Sequence, residues 1–251
     1  MNQGTISINI TNKVATLTFF HPASNSIPSD LLNRFTQSIN RLAINDDVHV
    51  ILLQSEGEKT FCAGASFDEL IAIKTIEEGK QFFSGFANLI NAMRKCPKFI
   101  IGRVEGKSVG GAVGIIAATD YCFATENSDI KLSELSIGIG PFVIAPAIER
   151  KMGVSALSEL IIDAENWKSA YWAKRRGLFN KVFENTHDMD EYLSILSSKL
   201  AGYNFQAIQE MKKVLWENTS HWDDLLIERA EISGKLVLSE FTKNALQKFK
   251  K

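Results

Sequence analysis

GRVEGKSVGGAVGIIAATDYCFATENSDIKLSELSIGIGP, residues Gly102–Pro141, divides into pieces whose order sets the fold class. Its head completes Phe99–Val104 (FIIGRV), a β-rich apolar run of buried-strand length that leads to Gly106, Gly110 and Gly111. Val109–Thr119 then carries small and aliphatic residues on every face, as a helix packed among other elements would. A strand, a glycine turn and the start of a buried helix leave backbone N–H groups near Gly110 and Gly111 unpaired at a positive helix end, where a developing oxyanion could be held. A Gly-Gly pair more often serves a tight turn or close packing than an anion hole, so the pair alone does not decide the chemistry.

Upstream, Ile6–Ile10 and Val14–Phe20 alternate around Asn12-Lys13 and predict a hairpin. Pro28-Ser29 then starts a helix with Leu31, Leu32, Phe35, Ile39 and Leu42 on one face, and Val48–Leu53 has the unbroken apolar character of a strand buried on both faces. Phe61–Ala65 gathers small residues around Gly64 ahead of a helix starting near Ser66, which makes Ala65 a second candidate backbone donor. Phe82–Met93 reads as a helix ended by Cys96-Pro97. Downstream come short strands at Tyr121–Ala124, Ile130–Leu132 and Lys181–Phe183. A glycine- and proline-broken loop covers Gly138–Pro146, and helices follow at Ala147–Met152, Ala156–Ile162 and Trp167–Arg176. From about Asp188 only helices are expected: Tyr192–Ala201, Ala207–Trp216 and one long helix over Asp223–Lys248. The division is an α/β core over residues 1–187 and an all-helical region over 188–251. Leu225, Leu226, Ala230, Ile232, Leu236 and Val237 give that tail an apolar surface that needs cover from the core or from another subunit.

At 251 residues, 45% hydrophobic and 23% charged, the chain has ample material for a core. A formal net charge of -1 with interspersed signs creates no field for nucleic acid or an anionic membrane, and Lys248, Lys250 and Lys251 form only a short basic tail. Cys62, Cys96 and Cys122 have no CxxC spacing, and His21, His49, His187 and His221 have no ligand spacing, so neither a disulfide framework nor a metal site is expected. The opening segment MNQGTISINITNKVATLTFF has no basic-then-apolar leader, and no apolar run approaches the roughly 20 residues that span a bilayer. A reducing cytoplasm is the expected compartment.

Two segments together resemble the crotonase, or enoyl-CoA hydratase/isomerase, superfamily. FCAGAS at Phe61–Ser66 is similar to the family's F-x-A-G-A-D, and GKSVGGAVGIIAATDYCFAT at Gly106–Thr125 is similar to its glycine-triplet motif, with Ala112 at the third glycine. HPASNS and the terminal LQKFKK extend the likeness over essentially the whole chain. The resemblance implies a spiral of ββα turns, a helical C-terminal region that helps form a homotrimer or hexamer, and a coenzyme A thioester as substrate, with coenzyme A part of the substrate and no separate cofactor. Carried over residue by residue, it makes the N–H groups of Ala65 and Gly111 the donors to the thioester oxygen. It also runs the substrate past Ala23, Ser26, Ala63, Phe67 and Gly110, towards Pro141 and Phe142.

Two positions depart from the family pattern. Where family hydratases carry a glutamate after the glycines, this chain has Gly114; a second family glutamate is matched by Glu134. A single acid resembles the family's isomerases, in which one carboxylate takes a proton from the α carbon and returns it at γ, whereas syn hydration recruits two. Isomerisation by Glu134 is therefore favoured over hydration of a short-chain or branched, methylglutaconyl-CoA-like substrate. Decarboxylation and a non-catalytic acyl-CoA-binding role complete the alternatives. The family's Asp after Gly-Ala is Ser66 here, a capping change. Asp68, Glu69 and Asp120 are the other acids near the motifs that could substitute, each read more readily as a capping or solvated group, with Asp120 at a position the family uses structurally, and Cys62 reads as a small buried residue.

Overall fold

In the computed structural model, which describes residues 4–248, the chain opens with a hairpin of β1 (Thr5–Thr11) and β2 (Val14–Phe20). Asn12 and Lys13 turn it with φ of 50° and 65°, the double left-handed pair that matches the twist of the flanking strands. α1 (Ser29–Ala43) follows, with Leu31, Leu32, Phe35, Ile39 and Leu42 all buried on one face.

Three ββα repeats then build the core. The first is β3 (Val50–Ser55), β4 (Thr60–Cys62), α2 (Phe67–Ala72) and α3 (Ile76–Lys95). The second is β5 (Phe99–Val104), β6 (Lys107–Val109) and α4 (Gly111–Ala117). The third is β7 (Tyr121–Thr125), β8 (Ile130–Lys131), a single 3-10 turn at Leu135–Ile137 and α5 (Ala145–Ile162). The first strand of each repeat enters a six-stranded sheet ordered β1-β2-β3-β5-β7-β9, and the second enters a three-stranded sheet ordered β4-β6-β8, so the chain winds as a spiral with one sheet on each side. All pairs but β1–β2 are parallel. The short strands β4 and β6 fall in segments rich in Gly, Ser and Lys, too brief for an alternation pattern to reveal.

α5 contains a break at Gly153 (φ 81°, ψ 161°), in agreement with the two helices expected around it. α6 (Ala170–Arg175) is shorter than the expected Trp167–Arg176 because Ser169 caps it, accepting from the Trp172 N–H. β9 (Lys181–Phe183) closes the large sheet, and helix resumes at Thr186 with α7 (Thr186–Ala201), followed by α8 (Phe205–Leu215). The long terminal helix is corrected: α9 (Trp222–Leu236) ends before Ser239, whose hydroxyl caps a separate α10 (Glu240–Gln247) by accepting from the Thr242 N–H. Lys250 and Lys251 lie outside the described residues.

The apolar face of α9 is covered by its own chain. Leu226 and Ala230 are fully buried, and α9 crosses α3 so closely that a Cβ added at Gly79 would stand 2.7 Å from the Gly234 Cα. Ile232 stays 42% exposed. Among the described residues no helix is long and apolar enough to cross a membrane.

Candidate active site

A cavity of about 80 Å³ opens where three connections converge: β4 to α2, β6 to α4, and the turn after β8. Ala63, Gly64 and Ala65 come from the first, Gly110 and Gly111 from the second, and Glu134 from the third, with Phe67, Pro141 and Phe142 also in the wall. Phe83, Phe86, Val143 and Ile144 make the rest of the lining largely apolar.

Each backbone donor is freed by a local device. Ile27 bridges Ala65 in parallel, with the Ile27 N–H donating to the Gly64 carbonyl at 2.8 Å, which leaves the Ala65 N–H on the other side of its segment. Gly64 has φ +88°, and a Cβ there would lie 2.7 Å from the Val109 carbonyl oxygen and 3.7 Å from the Gly111 nitrogen, so the two donor segments run in contact. Gly111 is the first residue of α4, where an N–H has no acceptor within the helix. Among the described residues, neither the Ala65 nor the Gly111 N–H meets a backbone or side-chain acceptor.

The acid is brought to the same place by Gly110. Its N–H donates to the Lys131 carbonyl at 2.8 Å, tying the glycine turn to the strand that precedes Glu134. Its backbone, at φ 57° and ψ -123°, is a conformation essentially restricted to glycine, and a Cβ would stand 2.8 Å from Glu134 Oε1. The carboxyl thus rests on the Gly110 Cα, one residue from the Gly111 N–H. Although Glu134 as a whole is half-buried, its Oε2 is fully buried and has no hydrogen-bond partner. Burial raises the carboxyl from 4.5 to about 7, opposed weakly by a bond from its own backbone N–H. Such a group is a base at neutral pH and remains protonatable there, the balance that two-way proton transfer requires.

Gly114 faces a different neighbour. A Cβ on it would lie 2.4 Å from both Cβ and Cγ2 of Ile144, so an isoleucine fills the space into which any side chain at 114 would project.

The remaining candidates are placed elsewhere. Ala23 and Ser26 lie on the loop behind this wall: the Ala63 N–H donates to the Ser24 carbonyl at 3.1 Å, and Ser26 Oγ bonds His21 Nδ1 at 3.2 Å. Asp68 is exposed, and Glu69 caps α1 by accepting from the Ser29 N–H and hydroxyl at 2.8 and 2.7 Å. Asp120 is a buried structural hub, accepting from the Ile100 N–H, Lys212 Nζ and Trp216 Nε1 at 2.8, 2.6 and 2.7 Å. Burial pushes the Cys62 thiol up to about 12, far from a reactive thiolate. Among the described residues no group of three His, Cys, Asp or Glu side chains could hold a metal ion. Phe83 and Phe86 on α3 and Ser233 on α9 complete the wall without having been marked by the sequence. The phenylalanines belong to an ordinary apolar stripe, and Ser233 lies in a tail helix with no motif.

Residues 9–249 match the family model described as enoyl-CoA hydratase/isomerase. A short-chain-enoyl-CoA hydratase of Clostridium acetobutylicum is 29% identical over 240 residues, covering 94% of this chain and 91% of that protein. A peroxisomal Delta(3,5)-Delta(2,4)-dienoyl-CoA isomerase of Arabidopsis thaliana is 26% identical over 206 residues, covering 76% and 72%. The crystal structure of an enoyl-CoA hydratase from Bacillus halodurans superposes with a TM-score of 0.90 at 18% identity, covering 97% of this chain and 99% of that one, a likeness of fold. By motif, fold and family match, the chain belongs to the enoyl-CoA hydratase/isomerase, or crotonase, family.

Proposed function

We propose that the chain moves a carbon–carbon double bond in a short, uncharged enoyl-CoA thioester from the β,γ to the α,β position. The Ala65 and Gly111 N–H groups receive the thioester oxygen as it gains enolate charge. Glu134 takes the α proton and returns it at the γ carbon of the same allyl system, so that no proton is lost overall. The coenzyme A portion would leave past Ala23–Ser26.

The observation that carries this reading is the Glu134 carboxyl beside the Gly110–Gly111 turn, with its Oε2 buried and unpartnered, the one charged side chain that the described residues place in the wall. Ile144 over Gly114 favours isomerisation over hydration, because an apolar group stands where a second acid would have to enter. The apolar lining disfavours decarboxylation and methylglutaconyl-type substrates, whose extra carboxylate would meet Glu134 without a lining cation to offset it. The similarity to a short-chain-enoyl-CoA hydratase supports hydration as the second reading.

Purified protein given a β,γ-enoyl-CoA and, separately, an α,β-enoyl-CoA in oxygen-18 water separates the two. Conjugated product without label from the first substrate is the expected result. Labelled hydroxyacyl-CoA from the second would replace isomerisation with hydration.

A further inference from the structure

The turn that carries Glu134 is held from outside the cavity by the last described helix. Glu134 O accepts from the N–H groups of Ile137 and Ile139 at 3.3 and 3.0 Å, closing a tight loop that passes through Gly138 at φ +85°. Against Gly138 sits α10: a Cβ there would be 2.5 Å from Phe241 Cδ1 and 2.6 Å from Thr242 Oγ1. Thr242 is fully buried, and its N–H and hydroxyl both bond Ser239 Oγ, at 3.2 and 3.0 Å, so the contact is made by a capped and fixed helix start.

A small apolar cluster extends the same contact to the other side of the site. Ile137 and Ile139 flank Gly138 and pack with Leu70 of α2 and with Val237 and Leu246 of the tail; Ala65, whose N–H is a donor, packs against its edge. The Glu134 turn, the segment from Ala65 into α2 and the C-terminal tail therefore share one satellite cluster, which meets the main core at Ala65 and Phe83.

From this geometry we infer that Phe241 and Thr242 are positioning residues, which hold the Gly138 turn so that the Glu134 carboxyl stays against Gly110 and away from water. The inference rests on Glu134 being the base. Phe241 is 65% exposed, so truncating it removes the brace with little loss of core.

The test is F241A beside the parent and F241L, using trans-3-hexenoyl-CoA. A base displaced by about 1 Å loses up to a hundredfold in rate. F241A is expected to lose about ten- to a hundredfold in kcat with KM within about twofold, and F241L to recover much of it. The acidic limb of the F241A pH profile should also move to lower pH, because a turn that loosens admits water to Glu134. An unchanged pH midpoint, or a kcat loss that F241L fails to reduce, overturns the positioning role. A second readout needs no substrate: the pH dependence of stability in F241A and in the parent, each compared with its own E134Q form. It should be weaker in F241A. If the parent turned over no enoyl-CoA, the proposed reaction would fail while this comparison still decided the brace, and equal pH dependence would refute it.

Discussion

Replacing Glu134 with glutamine should stabilise the protein, and by an amount set by pH. The folded carboxyl titrates near 7 and an unfolded one near 4.5, so between these values the native state binds a proton that the unfolded state has released. Stability is therefore fully present below 4.5, falls as pH rises through the window, and stays reduced above 7. Glutamine, close in shape and never charged, removes that dependence. Integrating the linkage gives a gain for E134Q of about 1 kcal/mol at pH 5, about 2 kcal/mol at pH 6 and about 3 kcal/mol above pH 8. For a chain of this size the last figure corresponds to about 6–12 °C in melting temperature. The assay is urea unfolding of both proteins at those three pH values, read by far-UV circular dichroism, with activity measured in parallel. The enzyme that gains stability should lose turnover, because the group that is costly to ionise is the one proposed to move the proton. A stability difference that is flat with pH would refute the reasoning: it would mean that Oε2 is hydrated or paired, and that the base is not poised near neutrality.

Three further expectations rest on other contacts. G110A should cost about 1–3 kcal/mol for a backbone conformation that alanine resists, and should also push Glu134 away, so that kcat falls more than a thermal melt alone would suggest. G114E should misfold or melt early because its side chain meets Ile144, and only the double variant G114E/I144G should fold well enough to gain oxygen-18 incorporation from an α,β-enoyl-CoA. D120A should lose about 3–5 kcal/mol in chemical unfolding, since it leaves the buried Lys212 ammonium without its counter-charge; D120A melting with the parent would show the hub to be dispensable.

The sequence discloses the parts of this molecule that depend on local rules. The Asn12-Lys13 hairpin, the Ser66 cap, the all-round apolar α4 and the break between the halves of α5 all follow from turn chemistry, capping and periodicity. The candidate donors Ala65 and Gly111 are legible from the glycine spacing of the two motifs, and the candidate base Glu134 from its place just after the next strand, outside both. The break before α10 is hidden because Leu236, Val237 and Leu238 continue an apolar run, and one serine is a weak stop. Ile144 over Gly114, Phe86 against Gly111 and Phe241 against Gly138 are long-range packing choices, and no period in the chain encodes which side chain will fill the space above a glycine. Asp120 shows the limit from the other direction: an acid beside a candidate site motif, yet committed to Lys212 and Trp216, more than ninety residues further along.

Ser233 has a consequence for synthesis. Ala65, Gly111 and Glu134 are all made before α9, but the cavity wall includes Ser233 on α9, which crosses α3 with backbones nearly touching at Gly79 and Gly234. A nascent chain stalled before α9 would present the candidate site with one side of its chamber missing and the apolar flank of α3 bare. Such intermediates invite aggregation and chaperone capture. The segment from α9 onward therefore determines when the earlier residues first line a complete cavity.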